Sequence, residues 1–518
     1  MNHNFLSNRI CCLAEWHAVC LVISQERVMR VLLIYPDTDP LSIIPSGLIN
    51  IEPLGLEYLA GELNDHDVTI LDMKIERHWR EAIDNFRPDI VGITGTVVHT
   101  HRILSILDYV KQILPEAITI VGGTHASLVP SDFFRQQVDI VIPGKDSAVF
   151  RRVVESIDRK RSLYEIAGII IRSDNGWKKT APSELLRNLD SLPIPRRDLT
   201  AQYRTRYHHL VWKPVALMVT SVGCPHGCSF CPCPVLTGRK VLRRSPELVL
   251  EELRQIDEPY VYIGDDNLFY DHHHARRIAQ LIEGEGLKKQ YYVLGRADDI
   301  VKHPELIERW AAIGLKKVFL GLESPGDDEI KALNKRATVA GNNRAIEILH
   351  SNNIDPLGAF IVDPRYTRAD FDRILEYMDR MRIYYFEFTV LTPFPGTKFY
   401  EEVRDGLVSH DTRLFDLAHS LFPTCLPATD FYREFHRLHR RAASLRRALW
   451  IRPVVSPFRR MAFVPQATQV VELFFSARRA YRQMQRADVI GTNNVFYNKN
   501  RPKKAGFATS RIHHGVEE

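Results

Sequence analysis

Three cysteines lie close together in the stretch Cys224-Pro-His-Gly-Cys228-Ser-Phe-Cys231, with three residues between the first two and two between the last two. Thiolates at this spacing can wrap one face of a cubane iron–sulfur cluster, each ligating a different iron, whereas a cluster held only by cysteines needs a fourth. Three ligands leave one iron open, as catalytic metal sites do, and the amine and carboxylate of an amino acid can chelate it there. We therefore predict a catalytic cluster on the loop that follows a predicted strand ending at Thr220.

A zinc site is the structural alternative for the same cysteines. Cys233 or His226 would then supply the fourth ligand. Zinc sites more often combine two C-x2-C pairs, and the sequence has no second pair. Cys233 would also compete sterically with the other three cysteines, so we expect it to be a bystander.

The chain has 518 residues, of which 45% are hydrophobic and 25% charged, as in an ordinary globular protein. This length predicts two to four domains at about 150 residues each. The net charge of +6, from 69 basic and 63 acidic residues, is too small over such a length to indicate nucleic-acid binding. No apolar run reaches the roughly 18 residues that span a bilayer. Eight cysteines, four of them between Cys224 and Cys233, do not make the framework of a secreted disulfide protein.

The first part of the chain predicts a doubly wound, Rossmann-like α/β domain over residues 29–150. Short Val/Ile-rich runs there are bounded by Gly, Pro and Asp and alternate with helical patterns, as in a parallel sheet covered on both faces. The ligand of such a sheet lies beyond the carboxyl ends of the strands. Residues 1–28 show no periodic pattern and no clear signal peptide, so we expect an extension upstream of a natural start at Met29. The predicted strands are residues 31–35, 68–71, 90–93, 118–121 and 140–142.

A second alternation of strands and helices fills residues 206–400. Residues 151–205 lead to it as a linker segment that contains a small β unit near residues 169–176 and ends on a Pro-rich stretch. Six βα units with right-handed crossovers predict a partial (β/α)6 barrel, whose chemistry lies at the carboxyl ends of the strands. The predicted strands are residues 216–220, 260–264, 291–295, 317–321, 358–362 and 386–390.

The C-terminal region over residues 401–490 is predicted to be helical and is basic. It carries thirteen arginines between Arg433 and Arg486, with aromatic residues interleaved among them. One interpretation is a helical cap that packs on the barrel and exposes a solvated arginine face. The other is a face that lies on an anionic membrane, where it meets a lipid substrate. We expect residues 491–518 to be a loosely ordered polar tail.

The cysteine stretch, with an aromatic residue before its last cysteine, resembles the radical SAM superfamily, which binds S-adenosyl-L-methionine (SAM) at a 4Fe-4S cluster. Segments at three predicted strand ends, residues 264–267, 295–298 and 321–324, resemble the cobalamin-dependent group of that superfamily. Each charged residue in them is alone compatible with a solvated strand end, and Asp265 with Asp266 is compatible with an N-cap pair. The resemblance implies that the cluster ligands are Cys224, Cys228 and Cys231 and that the SAM-binding residues are Phe230, Asp265, Arg296 and Glu323.

The same resemblance runs from about Met29 to Tyr400 and implies that the first domain binds cobalamin. Small and hydroxyl residues after its strands let backbone N–H groups approach a nucleotide tail. The pattern D-x-H-x-x-G is absent, which implies binding without an axial histidine, and Pro143-Gly-Lys-Asp146 replaces the group's acidic segment. A degenerate domain that binds nothing is the alternative. The implied cobalamin-binding residues are Thr94, Thr96, Gly122, Gly123, Thr124 and His125.

Two cofactor domains imply a division of labour in the reaction. Reductive cleavage of SAM yields a radical that abstracts hydrogen from an unactivated carbon, and cobalamin delivers a methyl group that a second SAM supplies. Segments at residues 360–364, 391–397 and 414–433 resemble hopanoid C-3 methylases. We therefore predict a cobalamin-dependent radical SAM methyltransferase that acts on a hydrophobic substrate, with hopanoid C-3 methylation as the specific reaction.

Two other functions are compatible with the same cofactors. An oxidative cyclase of the magnesium-protoporphyrin type uses both domains without net methylation. A non-catalytic cobalamin or SAM sensor is a third interpretation, although a sensor has no need of an open iron. We expect a hydrophobic small-molecule substrate, an external low-potential electron donor and no nucleic acid. We expect a cytoplasmic protein, free or peripheral on the inner face of the cytoplasmic membrane through its C-terminal region.

Overall fold

The computed structural model describes residues 28–42, 49–183, 188–210 and 212–443. Most of the predicted N-terminal extension, the polar tail and the basic region from residue 444 onward lie outside the described residues. Within the described residues, no helix is both long enough and apolar enough to cross a membrane.

The first half of the described chain contains the short apolar strands that its sequence predicts. The strands are β1 (Arg30–Tyr35), β2 (Ile49–Asn50), β3 (Asp67–Asp72), β4 (Ile90–Thr94), β5 (Ile118–Gly122), β6 (Ile140–Ile142), β7 (Ile170–Ser173), β8 (Gly176–Lys179) and β9 (His208–His209). The helices are α1 (Leu54–Gly61), α2 (Trp79–Phe86), α3 (Thr100–Ile113), α4 (Thr124–Leu128) and α5 (Ser147–Asp158), with 3-10 turns at Val97–His99, Pro130–Phe133, Leu163–Glu165 and Arg197–Arg206.

Seven of these strands form one sheet in the order β3-β1-β4-β5-β6-β7-β8, while β2 pairs with β9. The strands from β3 to β6 in this order are parallel, and apolar clusters cover both faces of the sheet. A parallel sheet buried on both faces needs Val and Ile in consecutive positions, which explains the unbroken apolar runs in the sequence. The predicted small β unit is the antiparallel hairpin β7–β8, which extends this sheet through the segment predicted as a linker.

The direction of winding in the first sheet reverses between β1 and β4, because β3 lies on one side of β1 and β4 on the other. In open α/β sheets, ligands bind in the crevice outside the carboxyl ends of the strands at such a reversal. We call this region the switch-point crevice; it is flanked by the loop after β1 (residues 36–42) and the loop after β4 (residues 95–99).

The second half forms the predicted partial barrel. Its strands are β10 (Val215–Met218), β11 (Ser221–Val222), β12 (Leu242–Arg243), β13 (Tyr260–Ile263), β14 (Gln290–Gly295), β15 (Leu315–Glu323), β16 (Asp355–Val362) and β17 (Tyr385–Val390). Its helices are α6 (Cys233–Thr237), α7 (Pro246–Arg254), α8 (His272–Glu285), α9 (Ala297–Lys302), α10 (Pro304–Ala312), α11 (Asp327–Ala332), α12 (Val339–Ser351), α13 (Arg368–Arg380), α14 (Lys398–Val403) and α15 (Ala428–Ala442), with 3-10 turns at Arg404–Gly406 and Thr412–Leu414.

Six barrel strands pair in parallel in the order β10-β13-β14-β15-β16-β17, which confirms the predicted set. One face of this sheet packs against the surrounding helices in a single apolar core that includes Trp310, Phe371 and Phe431. The opposite face lines the lumen. Because the six carboxyl ends share one rim, the loops after β10, β13, β14 and β15 meet there.

A buried network of carboxylates and arginines joins the two halves. The side chain of Glu252, on α7 of the barrel, is closed to solvent; it pairs with Arg244 and accepts hydrogen bonds from Arg197 Nη2 at 2.6 Å and from the hydroxyl of Tyr58, on α1, at 3.0 Å. Glu52, just before α1, is equally buried and also pairs with Arg197. Separating the partners of a buried ion pair would leave an uncompensated charge in the interior, which is costly. This network therefore fixes both halves in one arrangement.

Glu57, on α1 beside this network, carries a fully buried carboxyl. One oxygen accepts a hydrogen bond from the Thr200 hydroxyl at 2.5 Å, and the other has no hydrogen-bonding partner among the described residues. Burial raises the pKa of Glu57 to about 7. The folded protein therefore favours the protonated carboxyl.

We expect Glu252→Ala to lower the free energy of unfolding by about 3 kcal/mol or more, because it leaves the buried Arg244 without its carboxylate partner and removes one of the two carboxylates that pair with Arg197. Urea unfolding followed by circular dichroism measures this. Glu285→Ala is the matched control, since it removes an exposed ion pair with Arg254 and should change stability little. Equal unfolding midpoints for the two variants would contradict the role of the network.

Because the pKa of Glu57 is raised, we expect the free energy of unfolding to depend on pH. Its folded pKa lies above the ordinary value of 4.5, so its contribution is fully present below about pH 4.5 and is lost as the pH rises through about 7. Glu57→Gln keeps the acceptor for Thr200 but cannot ionise. The stability of this variant relative to the parent should therefore grow by up to about 3 kcal/mol between pH 5 and pH 8. A difference that does not change with pH would exclude a buried, protonated Glu57.

Candidate active site

The cysteine stretch lies at the barrel rim, on the loop that follows β10 and β11. Cys224, Cys228 and Cys231 are half-buried and not in disulfide bonds. Burial raises the pKa of Cys224 and raises that of Cys231 to about 12. Thiols in such surroundings become thiolates when a metal ion supplies the compensating charge.

Two consecutive carboxylates after β13 hold the start of this loop. Asp265 is completely buried and accepts hydrogen bonds from the Thr220 amide at 2.7 Å and from the Thr220 and Ser221 hydroxyls at 2.6 Å. Asp266 accepts one from the Gly223 amide at 2.7 Å. Both oxygens of Asp265, predicted to contact SAM, are thus directed at the loop. The alternative of an N-cap pair is wrong, because the next helix, α8, is capped by Asp271.

The rest of the loop is held by backbone geometry and by neighbouring loops. Gly223 has φ +112°, and a Cβ there would lie 2.1 Å from the Lys240 carbonyl, so only glycine fits. Farther along, the Asn334 side chain donates to the Gly227 carbonyl at 2.7 Å, and the Ser229 amide donates to the Leu333 carbonyl at 3.3 Å. The loop between α11 and α12 therefore clamps the cysteine loop.

The described cysteines do not form a compact group of the kind that a zinc ion needs. Among the described residues, no three cysteine sulfurs lie within 4.8 Å of one another. Tetrahedral zinc would bring each pair of sulfurs to about 3.8 Å, whereas thiolates on different irons of a cubane stand farther apart. His226, the alternative fourth zinc ligand, instead lies with Asp298 and Asp299. The donor set thus fits a cluster with three cysteine ligands.

Two of the residues predicted to bind SAM lie at the same rim as the cysteines. Arg296 follows β14, is nearly buried, and pairs with Asp298 at 2.9 Å. Although burial lowers it, the pKa of Arg296 is raised overall, chiefly by the hydrogen bond and charge of Asp298 and also by the charges of Cys228 and Cys224, which places the guanidinium beside the cysteine loop. Phe230 lies on the loop itself and is half-buried.

Glu323 ends β15 with φ +62°, a conformation that costs energy for a residue with a side chain. Its buried carboxylate pairs with Lys335, whose Nζ also donates to the Gly321 carbonyl at 2.7 Å. Backbone strain of this kind is held in place by surrounding contacts and clusters at functional sites. The lysine therefore holds Glu323 in a strained position at the rim.

The sequence analysis missed Glu387 in the middle of β17. Its neighbour Phe388 faces the helix-covered core, so strand alternation places Glu387 on the lumen face. Burial, together with the charge of Glu323, raises the pKa of Glu387. The signal was an acidic residue between two phenylalanines in a predicted strand, a position that a purely structural strand fills with an apolar side chain.

The predicted cobalamin-binding residues lie at the carboxyl ends of the first sheet. Thr94 and Gly122 are register partners at the ends of β4 and β5. Gly123 has φ +91°, and a Cβ there would lie 2.1 Å from the Thr94 hydroxyl, so the two loops pack tightly. At Gly144, after β6, a Cβ would meet only open space. The strand ends are therefore closely packed between β4 and β5 and open at Gly144 after β6.

The histidines near the crevice are hydrogen-bonded side chains. His99 accepts from the Thr96 amide at 3.2 Å, and burial lowers its pKa to about 4, so it is neutral. His125 is buried, and its Nε2 lies 2.7 Å from the Asp132 carboxylate. Thr124 begins helix α4 next to it. The imidazole of His125 thus points away from the open space, into the domain.

Known proteins share both halves of this architecture. The B12 binding domain model matches residues 49–154, and the Radical SAM superfamily model matches residues 218–402. The hopanoid C-3 methylase of Methylococcus capsulatus is 32% identical over 415 residues, 78% of this chain and 78% of that protein. The chain belongs to the cobalamin-binding radical SAM family. It is a cobalamin-dependent methyltransferase with a 4Fe-4S cluster, SAM and cobalamin as cofactors, so the alternative of a non-catalytic sensor is wrong.

Two more distant proteins are also similar to this radical SAM methyltransferase. The anaerobic magnesium-protoporphyrin IX monomethyl ester cyclase of Rubrivivax gelatinosus is 27% identical over 355 residues, 64% of this chain and 62% of that protein. The structure of the cobalamin-dependent SAM radical enzyme OxsB matches with a TM-score of 0.65 at 15% identity, covering 89% of this chain and 74% of that one. The second likeness supports the fold alone.

We expect Cys228→Ala to abolish assembly of the 4Fe-4S cluster, because two thiolates cannot replace the three-point attachment. Iron and sulfide content and the visible absorbance of reconstituted protein measure this. Cys233→Ala is the matched control: Cys233 begins helix α6 and is buried, so this variant should assemble a full cluster. Loss of the cluster in both variants would show that Cys233 is a ligand.

Proposed function

We propose that this methyltransferase adds a methyl group to C-3 of a hopanoid. Its similarity to a hopanoid C-3 methylase over most of both chains supports the proposal. The observation that carries it is a buried apolar cluster between the two halves, which we call the apolar wall. Val97 and Val98, after β4 of the first sheet, pack there against Phe415, Leu421 and Phe422 from beyond the barrel.

An apolar wall at this place suits an apolar substrate. Phe394, Phe399 and Tyr400 extend it from the end of β17 toward the cysteine loop, where the Phe399 amide donates to the Ser229 carbonyl at 3.1 Å. A triterpenoid hydrocarbon has no polar groups near its first ring, so its recognition depends on buried apolar area and shape. The segments resembling hopanoid methylases, residues 391–397 and 414–433, contribute to this wall.

The residues that would hold the cofactors lie in two places, at the barrel rim and at the switch-point crevice. We propose that Cys224, Cys228 and Cys231 hold the cluster, that Arg296 and Glu323 bind polar groups of SAM, and that the loops after β4 and β5 bind cobalamin. Together the cofactors supply hydrogen abstraction and a methyl group, consuming two SAM molecules and two external electrons for each methyl group transferred. The protein orients the reacting groups and excludes water from the space between the rims.

We also propose a peripheral contact with the membrane where a hopanoid resides. The basic residues beyond residue 443 fall outside the described structure, but the described helix α15 already ends in Arg440 and Arg441. Basic side chains near an anionic surface contribute roughly 1 kcal/mol each to binding. The protein would then reach its substrate at the bilayer without a spanning helix.

The function is tested by anaerobic turnover. Reconstituted protein, cobalamin, a low-potential reductant and methyl-deuterated SAM are mixed with a hopanoid-containing lipid extract, and mass spectrometry follows the lipid label. We expect a deuterated methyl group on the hopanoid, with 5′-deoxyadenosine and S-adenosylhomocysteine formed in equal amounts. Cys228→Ala should form no 5′-deoxyadenosine.

Each other outcome identifies a different reaction. Formation of 5′-deoxyadenosine without labelled lipid would retain the radical chemistry and contradict the hopanoid assignment. In that case magnesium-protoporphyrin monomethyl ester is the next substrate to test. Its oxidation without methyl transfer would assign the cyclase reaction. Two more distant relatives are named as anaerobic magnesium-protoporphyrin IX monomethyl ester cyclases.

A further inference from the structure

A segment that follows the barrel crosses the switch-point crevice of the first domain. We call residues 407–422 the strap. Phe415 of the strap packs on Val97 and Val98 in the loop after β4. The Ser42 hydroxyl, in the loop after β1, donates to Asp416 at 3.3 Å. The strap therefore contacts both loops that flank the crevice.

The strap is also fixed to the barrel. The amide of Val390, the last residue of β17, donates to the Leu417 carbonyl at 2.6 Å. Because β17 is the edge strand of the partial barrel, this bond fastens the strap beside the open edge and near the rim. Residues 416–419 thus lie where the crevice and the barrel rim meet.

An oriented histidine occupies this position. The Asp416 side chain is closed to solvent, and one of its oxygens accepts hydrogen bonds from the amides of Ala418 at 3.0 Å and His419 at 2.8 Å. The other oxygen lies 3.0 Å from Nδ1 of His419. A neutral imidazole that donates from Nδ1 to a carboxylate presents Nε2 as an acceptor.

Nε2 of His419 has no hydrogen-bonding partner among the described residues, and it is not among their polar atoms sealed from solvent. The side chain as a whole is only 9% exposed. This nitrogen therefore remains open to solvent while most of the side chain is packed. A ligand that brings an N–H or O–H donor into the crevice can replace water at this acceptor.

We propose that His419 is a cobalamin-binding residue whose Nε2 accepts a hydrogen bond from a carboxamide on the rim of the corrin ring, with Asp416 as its positioning residue. The corrin rim carries several primary amides, which are N–H donors. A triterpenoid hydrocarbon offers no donor to this nitrogen. Methyl transfer to a carbon that has lost a hydrogen atom needs no base, so the pair is not required for proton transfer. The strap is then a third wall of the cobalamin site, beside the loops after β1 and β4.

The test is binding of hydroxocobalamin to the full-length protein with its cluster reconstituted, followed by visible absorbance and retention on gel filtration. We expect His419→Ala to weaken binding about tenfold, or about 1.4 kcal/mol. His419→Gln retains an acceptor and should recover most of the affinity. Asp416→Asn should give an intermediate loss, because the imidazole is no longer held in one tautomer. His410→Ala, an exposed strap histidine, is the matched control and should bind as the parent does.

Iron content and circular dichroism report whether each variant folds and holds its cluster. If His419→Ala does not fold, the comparison of His419→Gln and Asp416→Asn with the parent decides, and equal affinities in all three would overturn the proposal. Unchanged cobalamin binding in a folded His419→Ala variant would overturn the proposal, whether or not hopanoid methylation is impaired. Because cobalamin binding is measured without hopanoid, failure of the substrate assignment does not affect this result.

Discussion

Arg197 lies between two buried carboxylates, Glu52 from the first half and Glu252 from the barrel, and the arrangement of the whole active site depends on these ion pairs. Hydrogen abstraction and methyl delivery by two different cofactors act on one substrate carbon, which requires that the rim of the barrel and the crevice of the first sheet face each other at a fixed distance. An apolar interface tolerates small displacements, whereas charges buried with oriented hydrogen bonds do not. The network therefore restricts motion of the two halves relative to each other and holds them in a single geometry.

Within that frame, the cysteine loop has little regular structure of its own. It is held by Asp265 and Asp266 from the next strand end, by Asn334 from the loop after α11, and by the conformation of Gly223. All these contacts come from the carboxyl ends of parallel strands or from loops that follow them. A partial barrel therefore brings the three cysteines and the contacts that hold their loop to one rim, because its strands run in the same direction.

Much of this arrangement could be predicted because it depends on local pattern. Unbroken apolar runs identified the five parallel strands β1, β3, β4, β5 and β6 and the six barrel strands. The cysteine spacing led to the prediction that chemistry occurs at the barrel rim. The direction of a side chain at a strand end was not predictable: Asp265 was expected at SAM but is directed at Thr220, and the imidazole of His125 is directed at Asp132. Such choices depend on neighbours distant in sequence, whose positions follow only from the packed fold.

The residues that the sequence analysis missed share one property: each is polar and lies in apolar surroundings. Glu387 stands between phenylalanines of β17, and Asp416 with His419 interrupts an apolar strap. A site that holds a hydrocarbon beside a corrin ring must present an apolar face to one and hydrogen bonds to the other. Polar atoms exposed to the hydrocarbon would admit water, which competes for a radical intermediate. The polar atoms of such a wall are therefore best used on the cofactor, and this is the physical reason for proposing that Nε2 of His419 serves cobalamin while the apolar side chains of the strap serve the substrate.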